Sequence, residues 1–105
     1  MLLKELSIAL DIFGLLDPKK LPLHYAHIFI IIANQESCTY KDIQNKYHLS
    51  HAAVSRVCNA LSDNARHREK SLGLIEIFID PEEGRRYRVK LSEKGKALIK
   101  VIENI

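Results

Sequence analysis

The chain has 105 residues, 47% of them apolar, which is enough for one small core and too much for a disordered tail. Two cysteines cannot scaffold a secreted fold, and no apolar run approaches the ~18 residues of a membrane span. The net charge of +3 is modest but uneven: residues 1–52 balance five bases against five acids, whereas residues 85–100 carry seven bases and one acid, Glu93.

Residues 2–16 place Leu3, Leu6, Leu10 and Phe13 at helical spacing, widened by Leu2, Ala9 and Leu16. Lys4, Glu5 and Asp11 interrupt this stretch, so it makes a poor signal peptide, and a reducing, cytoplasmic setting is expected. "DPKKLP" breaks the helix with two prolines. Residues 23–35 are ambiguous: Ile30, Ile31 and Ile32 favour a strand, while the length and Pro22 just ahead favour a buried helix, which is the reading adopted.

Thr39 caps a short helix over 40–47, with Asp42 at the position of a capping-box partner. His48 and Leu49 make a turn, and Ser50 caps the next helix, about 51–62, whose inner face is Val54, Val57, Cys58 and Leu61. Residues 62–73 lack periodicity and read as loop. "LIEIFID" and "RRYRVKL" alternate around "PEEG", which predicts a hairpin over 74–91. Ser92 caps a last helix with Leu98, Val101, Ile102 and Ile105 on one stripe. The order is that of a single winged helix-turn-helix domain over 1–105, mainly α with a β-hairpin wing (α+β), its helix-turn-helix at 39–62.

The outer face of the 51–62 helix is unusual. Solvated faces carry Glu and Lys; this one carries His51, Ala52, Ser55, Arg56 and Asn59, preceded by Ser50, and no acid. Small residues let a backbone approach base edges, and Arg, Asn and Ser offer matching donors and acceptors. Thr39, at the start of the motif, joins the candidate contacts. Arg85, Arg86 and Arg88 crowd the hairpin tip, where planar guanidinium groups suit phosphate or a narrow minor groove better than lysines would. Arg66 and Arg68, with His67 and Lys70, add a second basic cluster or a merely solvated loop.

"TYKDIQNKYHLSHAAVSRVCNAL", "GLIEI" and "DPEEGRRYRVKLSEKG" together resemble the MarR family of winged-helix transcriptional regulators over roughly residues 20–100. The resemblance implies a reading helix in the major groove and a wing Arg in the minor groove, steadied by an acid two residues earlier. Aligned through "VKLSEKG", that pair falls on Glu83 and Arg85. It also implies homodimers joined by terminal helices, here 1–16 and 92–105, that bind pseudo-palindromic double-stranded DNA. Many such regulators respond to small phenolic or lipophilic ligands, some to oxidants or metals; no residue pattern here supports a ligand. Independently, the broad apolar face of 2–16 exceeds what a small helical core covers, which marks an interface.

The chain departs from the family where His48 replaces a common turn glycine; His tolerates the left-handed region better than most residues, so the turn should survive. Leu61 and Gly73 are about eight residues further apart than is usual, inserting "DNARHREK" before the wing. Compact length and the long spacer are similar to versions carried by bacteriophages and mobile elements. The location implied is then the bacterial nucleoid, or a host cytoplasm.

His24 with His27, and His48 with His51, could join Cys38 or Cys58 at a metal, but no spacing is that of a usual site and none is expected. Cys58 reads as a small core residue, and Cys38, in a loop, as an oxidant sensor only with a depressed pKa. No nucleophile with a positioned base and no phosphate loop occurs, so neither an enzyme nor a cofactor is expected. Two other readings stay open: a protein-interaction module that binds a transcription or replication partner, and an architectural or recombination accessory protein that bends DNA.

Overall fold

The computed structural model describes residues 1–17, 21–63 and 72–105. Its elements are α1 (Leu3–Gly14), α2 (Leu23–Ala33), β1 (Cys38–Thr39), α3 (Tyr40–Tyr47), α4 (His51–Leu61), β2 (Ile75–Ile79), β3 (Tyr87–Leu91) and α5 (Glu93–Glu103). The strands form one antiparallel sheet in the order β1-β3-β2. Among the described residues no helix is long and apolar enough to cross a membrane.

Residues 23–33 resolve as helix despite the isoleucine run. Pro22 stands at the N-cap with extended backbone, and its carbonyl accepts the first bond from the Tyr25 amide at 3.0 Å. Tyr25, Ala26, Ile28, Phe29, Ile31 and Ile32 are all buried, so α2 is apolar on most sides because it runs through the core. Phe13 of α1 meets Phe29 edge-on at 6.0 Å. Ile43 from α3, Val54, Val57, Cys58 and Leu61 from α4, and Val89 from β3 complete that core.

The turn between α3 and α4 forms as expected. His48 closes α3 in the left-handed region at φ 59°, ψ 42°, its amide donating to the Gln44 carbonyl at 2.8 Å. Ser50 then caps α4 through Oγ, which accepts the Ala53 amide at 3.1 Å.

After residue 71 the chain is bonded to the end of α4. Where the description resumes, the Leu72 amide donates to the Ala60 carbonyl at 3.3 Å and the Leu74 amide to Leu61 at 2.7 Å. The chain therefore re-enters directly on the last turn of α4. Gly73 takes φ +65° there, and its carbonyl accepts the Ser92 hydroxyl at 2.6 Å. Ser92 Oγ also caps α5 by accepting the Gly95 amide.

Two sequence expectations change. The sequence predicts loop and cap at residues 38 and 39; they form a third strand, Cys38 opposite Val89 and Thr39 opposite Arg88. A two-residue strand has no pattern of its own and exists only through its distant partner. The expected strands 74–80 and 85–91 are also shorter, so Arg85 and Arg86 belong to the turn and only Arg88 to β3. Strict alternation fails because the hairpin runs off the core: Leu74 and Ile75 are both buried, while Ile79, near the tip, is 58% exposed.

Gly95 is buried where α5 crosses the end of β2, and a Cβ there would run into the Leu74 carbonyl oxygen. A backbone atom cannot yield as a flexible side chain does. Gly95→Ala is therefore expected to lower stability by about 1–3 kcal/mol, the usual cost of overpacking. Thermal unfolding followed by far-UV circular dichroism reads this as a lowered Tm; an unchanged Tm would contradict the close approach.

Candidate nucleic-acid interface

The outer face of α4 is built by its phase against the core. With Val54, Val57, Cys58 and Leu61 inward, Ser50, His51, Ala52 and Arg56 are exposed, and Ser55 and Asn59 are partly so. Arg56 has no hydrogen-bond or ion-pair partner among the described residues, so its guanidinium is available to a ligand. No acid lies on this helix.

Thr39 leaves the contact set. It is buried, its Oγ1 accepts the Asp42 amide at 3.1 Å, and its own amide donates to Asp42 Oδ2 at 2.9 Å. These reciprocal bonds hold the Asp42 carboxyl below its ordinary pKa, the Thr39 amide being the main cause. Both residues are spent on starting α3. Arg66 and Arg68 lie outside the described residues.

The wing tip is organised by an acid other than the one implied by the resemblance. Asp80, just past β2, has a side chain only 4% exposed. Its Oδ1 accepts the amides of Glu82 at 2.9 Å and Glu83 at 3.3 Å, as an Asx-type turn does. Its Oδ2 accepts Arg86 Nε at 3.0 Å, Arg86 Nη2 at 2.8 Å and Arg88 Nη1 at 3.3 Å. The Arg86 side chain is thereby the first cause of a carboxyl pKa far below the usual range, with the Glu82 amide second. Glu83, the expected support, is exposed; its backbone carries the turn instead, its carbonyl accepting the Arg86 amide at 3.0 Å.

The three arginines therefore differ. Arg88 is a strut: besides Asp80 it donates through Nε to Ser37 Oγ at 3.0 Å and through Nη2 to the Ser37 carbonyl at 3.4 Å. Arg86 is clamped to Asp80 yet 47% exposed, so part of its guanidinium still faces outward. Arg85 is exposed with no partner among the described residues. Glu82 and Glu83 are exposed beside it, so three acids and three arginines share residues 80–88. In sequence Asp80 is one more residue of the alternating run 74–80. The missed signal was the Asp-Pro step, a turn initiator.

Both cysteines are buried. Cys38 lies in β1, fully buried, its thiol pushed up to about 11 by desolvation first and the Asp42 charge second. That overturns the loop position and the depressed pKa an oxidant sensor needs. Burial likewise pushes Cys58 up to about 12. His24 meets the Tyr25 ring and His27 the Tyr47 ring, each at 4.7 Å. No group of three His, Cys, Asp or Glu able to hold a metal occurs among the described residues.

Comparison with solved structures places this geometry. The chain superposes on a MarR mutant from E. coli complexed with operator DNA at TM-score 0.69 and 19% identity, covering 96% of this chain and 64% of that one. The S. aureus MepR–DNA complex gives TM-score 0.71 and 16% identity, covering 96% and 72%. Lactococcus lactis ZitR gives 0.65 and 24%, covering 81% and 52%. The protein thus has the winged-helix fold of the MarR regulators, and spans between about half and three-quarters of the length of these three structures. No protein-family model matches the sequence, and no curated protein does.

A carboxylate with a lowered native pKa stabilises its state fully above the ordinary Asp value of about 4, and that support is withdrawn as pH falls through the lowered native value. The Asp80 carboxyl carbon, followed by NMR, should accordingly titrate well below 4, and Asp80→Asn should speed amide exchange at Glu82, Glu83 and Arg86 at neutral pH. A midpoint at or above the ordinary value would remove Asp80 from its place in the wing.

Proposed function

We propose that this chain is a sequence-specific, duplex-DNA-binding transcriptional regulator acting as a homodimer on a pseudo-palindromic site. The observation that carries the reading is the face of α4: solvent-facing, free of acids, with small residues around an unpaired Arg56. A helix meant only for solvent gains from Glu and Lys; one that enters a major groove gains from this set. Ser50, His51, Ala52, Ser55, Arg56 and Asn59 are the residues assigned to base edges and neighbouring phosphates. The wing brings Arg85, and the outward part of Arg86, to the adjacent minor groove. Two of the structures that share the fold, those of E. coli MarR and S. aureus MepR, hold DNA. Such a protein works at the bacterial nucleoid, or in the host cytoplasm for a phage-encoded chain.

The homodimer is supported by apolar surface that the fold leaves uncovered. Leu3 is 86% exposed, Leu6 43% and Leu10 46% on α1, and Val101 55% on α5. Phe13 drops out of the interface set because it is buried against Phe29. Leu98 and Ile102 are partly buried on the chain's own core, and Ile105 is partly exposed at the end of the chain. Two-fold pairing would set two α4 helices about 34–36 Å apart, one turn of duplex.

Binding measured on duplexes selected from a random pool tests the site. Arg56→Ala should relax preference for the selected sequence by about 1–3 kcal/mol per half-site, whereas Arg85→Ala, which removes one cation from each subunit, should weaken all duplexes and reduce the salt slope by about two. Glu83→Gln should strengthen binding, since it removes an exposed acid while Asp80 keeps the tip in place; weakened binding would restore Glu83 as the support. Equal affinity of the wild type for every duplex would favour a DNA-bending accessory role, and no binding at low salt a protein-interaction module.

Sedimentation tests the dimer. The 12.0 kDa chain should sediment at twice its mass. Leu6→Glu with Leu10→Glu should leave a folded monomer with much weakened DNA affinity. A monomeric wild type at micromolar concentration would refute the interface.

A further inference from the structure

Three aromatic side chains from three elements meet beside the wing. Tyr40, the first residue of α3, is 8% exposed. Its ring centroid lies 5.7 Å from that of His51, the first residue of α4, and 6.1 Å from that of Tyr87, the first residue of β3. The central ring is buried and the outer two are not: Tyr87 is 54% exposed and His51 is exposed. Among the described residues neither the Tyr87 hydroxyl nor the His51 ring nitrogens have a hydrogen-bond partner. A stack serving packing alone would be expected to cover its outer rings, since exposed aromatic faces forgo the burial that rewards them. This stack instead presents two unpaired polar edges, held by a fixed central ring.

Its place gives the edges a use. The row runs from the start of α4 to the strand that leaves the wing tip. We propose that Tyr87 and His51, positioned by Tyr40, receive the DNA sugar-phosphate strand that lies between the groove read by α4 and the groove met by the wing. This rests on the proposed function, which puts those two elements in adjacent grooves. The strand dividing the grooves then passes over the surface joining them. A phenol O–H and an imidazole N–H are both phosphate donors. The one acid of α3, Asp42, keeps its charge, and one of its carboxyl oxygens accepts the Thr39 amide. Tyr87 is absent from every contact set that sequence reading supplied, because an alternating strand residue carries no sign of its neighbours.

Duplexes carrying one uncharged methylphosphonate at each backbone position in turn, on a selected site, provide the test. Tyr87→Phe should bind every duplex roughly ten- to a hundredfold more weakly, the loss of one hydrogen bond in each half-site. Its salt slope should stay that of the wild type, since a neutral donor releases no counterion. At one phosphate per half-site the methylphosphonate penalty should be smaller in Tyr87→Phe than in the wild type. Tyr40→Leu, which frees both outer rings, should reduce the same penalty with Tyr87 intact. Wild-type affinity in Tyr87→Phe, or penalties that add at every phosphate, would overturn the proposal. If the wild type binds no duplex at low salt, the DNA reading has failed and this one with it, and that control is read before any variant.

Discussion

The carboxylate of Asp80 is withdrawn from water at the point where the wing turns, and such a group is stable only when its lone pairs are taken up. Two amides of the turn occupy one oxygen, and donors from Arg86 and Arg88 occupy the other. The tip is thus closed by charge-assisted bonds rather than by apolar contact, which suits a ribbon projecting beyond the core. The same bonds divide the work of the arginines. Arg88 is consumed as a strut, Arg86 is half consumed, and Arg85 is left to the surroundings.

Through Arg88 the effect reaches the helices. Its bonds to Ser37 tie β3 to the start of β1, which leads without a break into Thr39 and α3. Tyr40 adds a second tie, touching α4 on one side and β3 on the other. Wing and α4 are therefore linked by short polar and aromatic contacts among the described residues. Leu72, Gly73 and Leu74 are stitched to the end of α4 and to Ser92.

Electrostatics at this surface are finely balanced rather than uniformly basic. Exposed Glu82 and Glu83 stand just before Arg85 in the turn. The α4 face has no acid. On the proposed reading, discrimination would come more from α4 and affinity less from the wing, in keeping with the division between base contacts and backbone contacts.

Periodicity and local chemistry, read from the sequence alone, determined the helices, their caps, the left-handed turn at His48 and the existence of a hairpin. These depend on residues within a few positions of one another: Thr39 with Asp42, Ser50 with Ala53, the apolar stripe of α4. The outward set on α4 was legible for the same reason, because an amphipathic helix declares both of its faces. Tertiary structure alone decided what crosses the chain: the β1 strand opposite Val89, Arg88 bonded to Ser37, the burial of Phe13, Thr39 and Cys38, and the aromatic row around Tyr40. Asp80 lies between the two cases, since its turn-forming role is written in the Asp-Pro step while its arginine partners were settled by the hairpin's register. Spacing in sequence governs contacts within one turn or hairpin; contacts made across a core depend on where whole elements come to rest, and no local pattern records that.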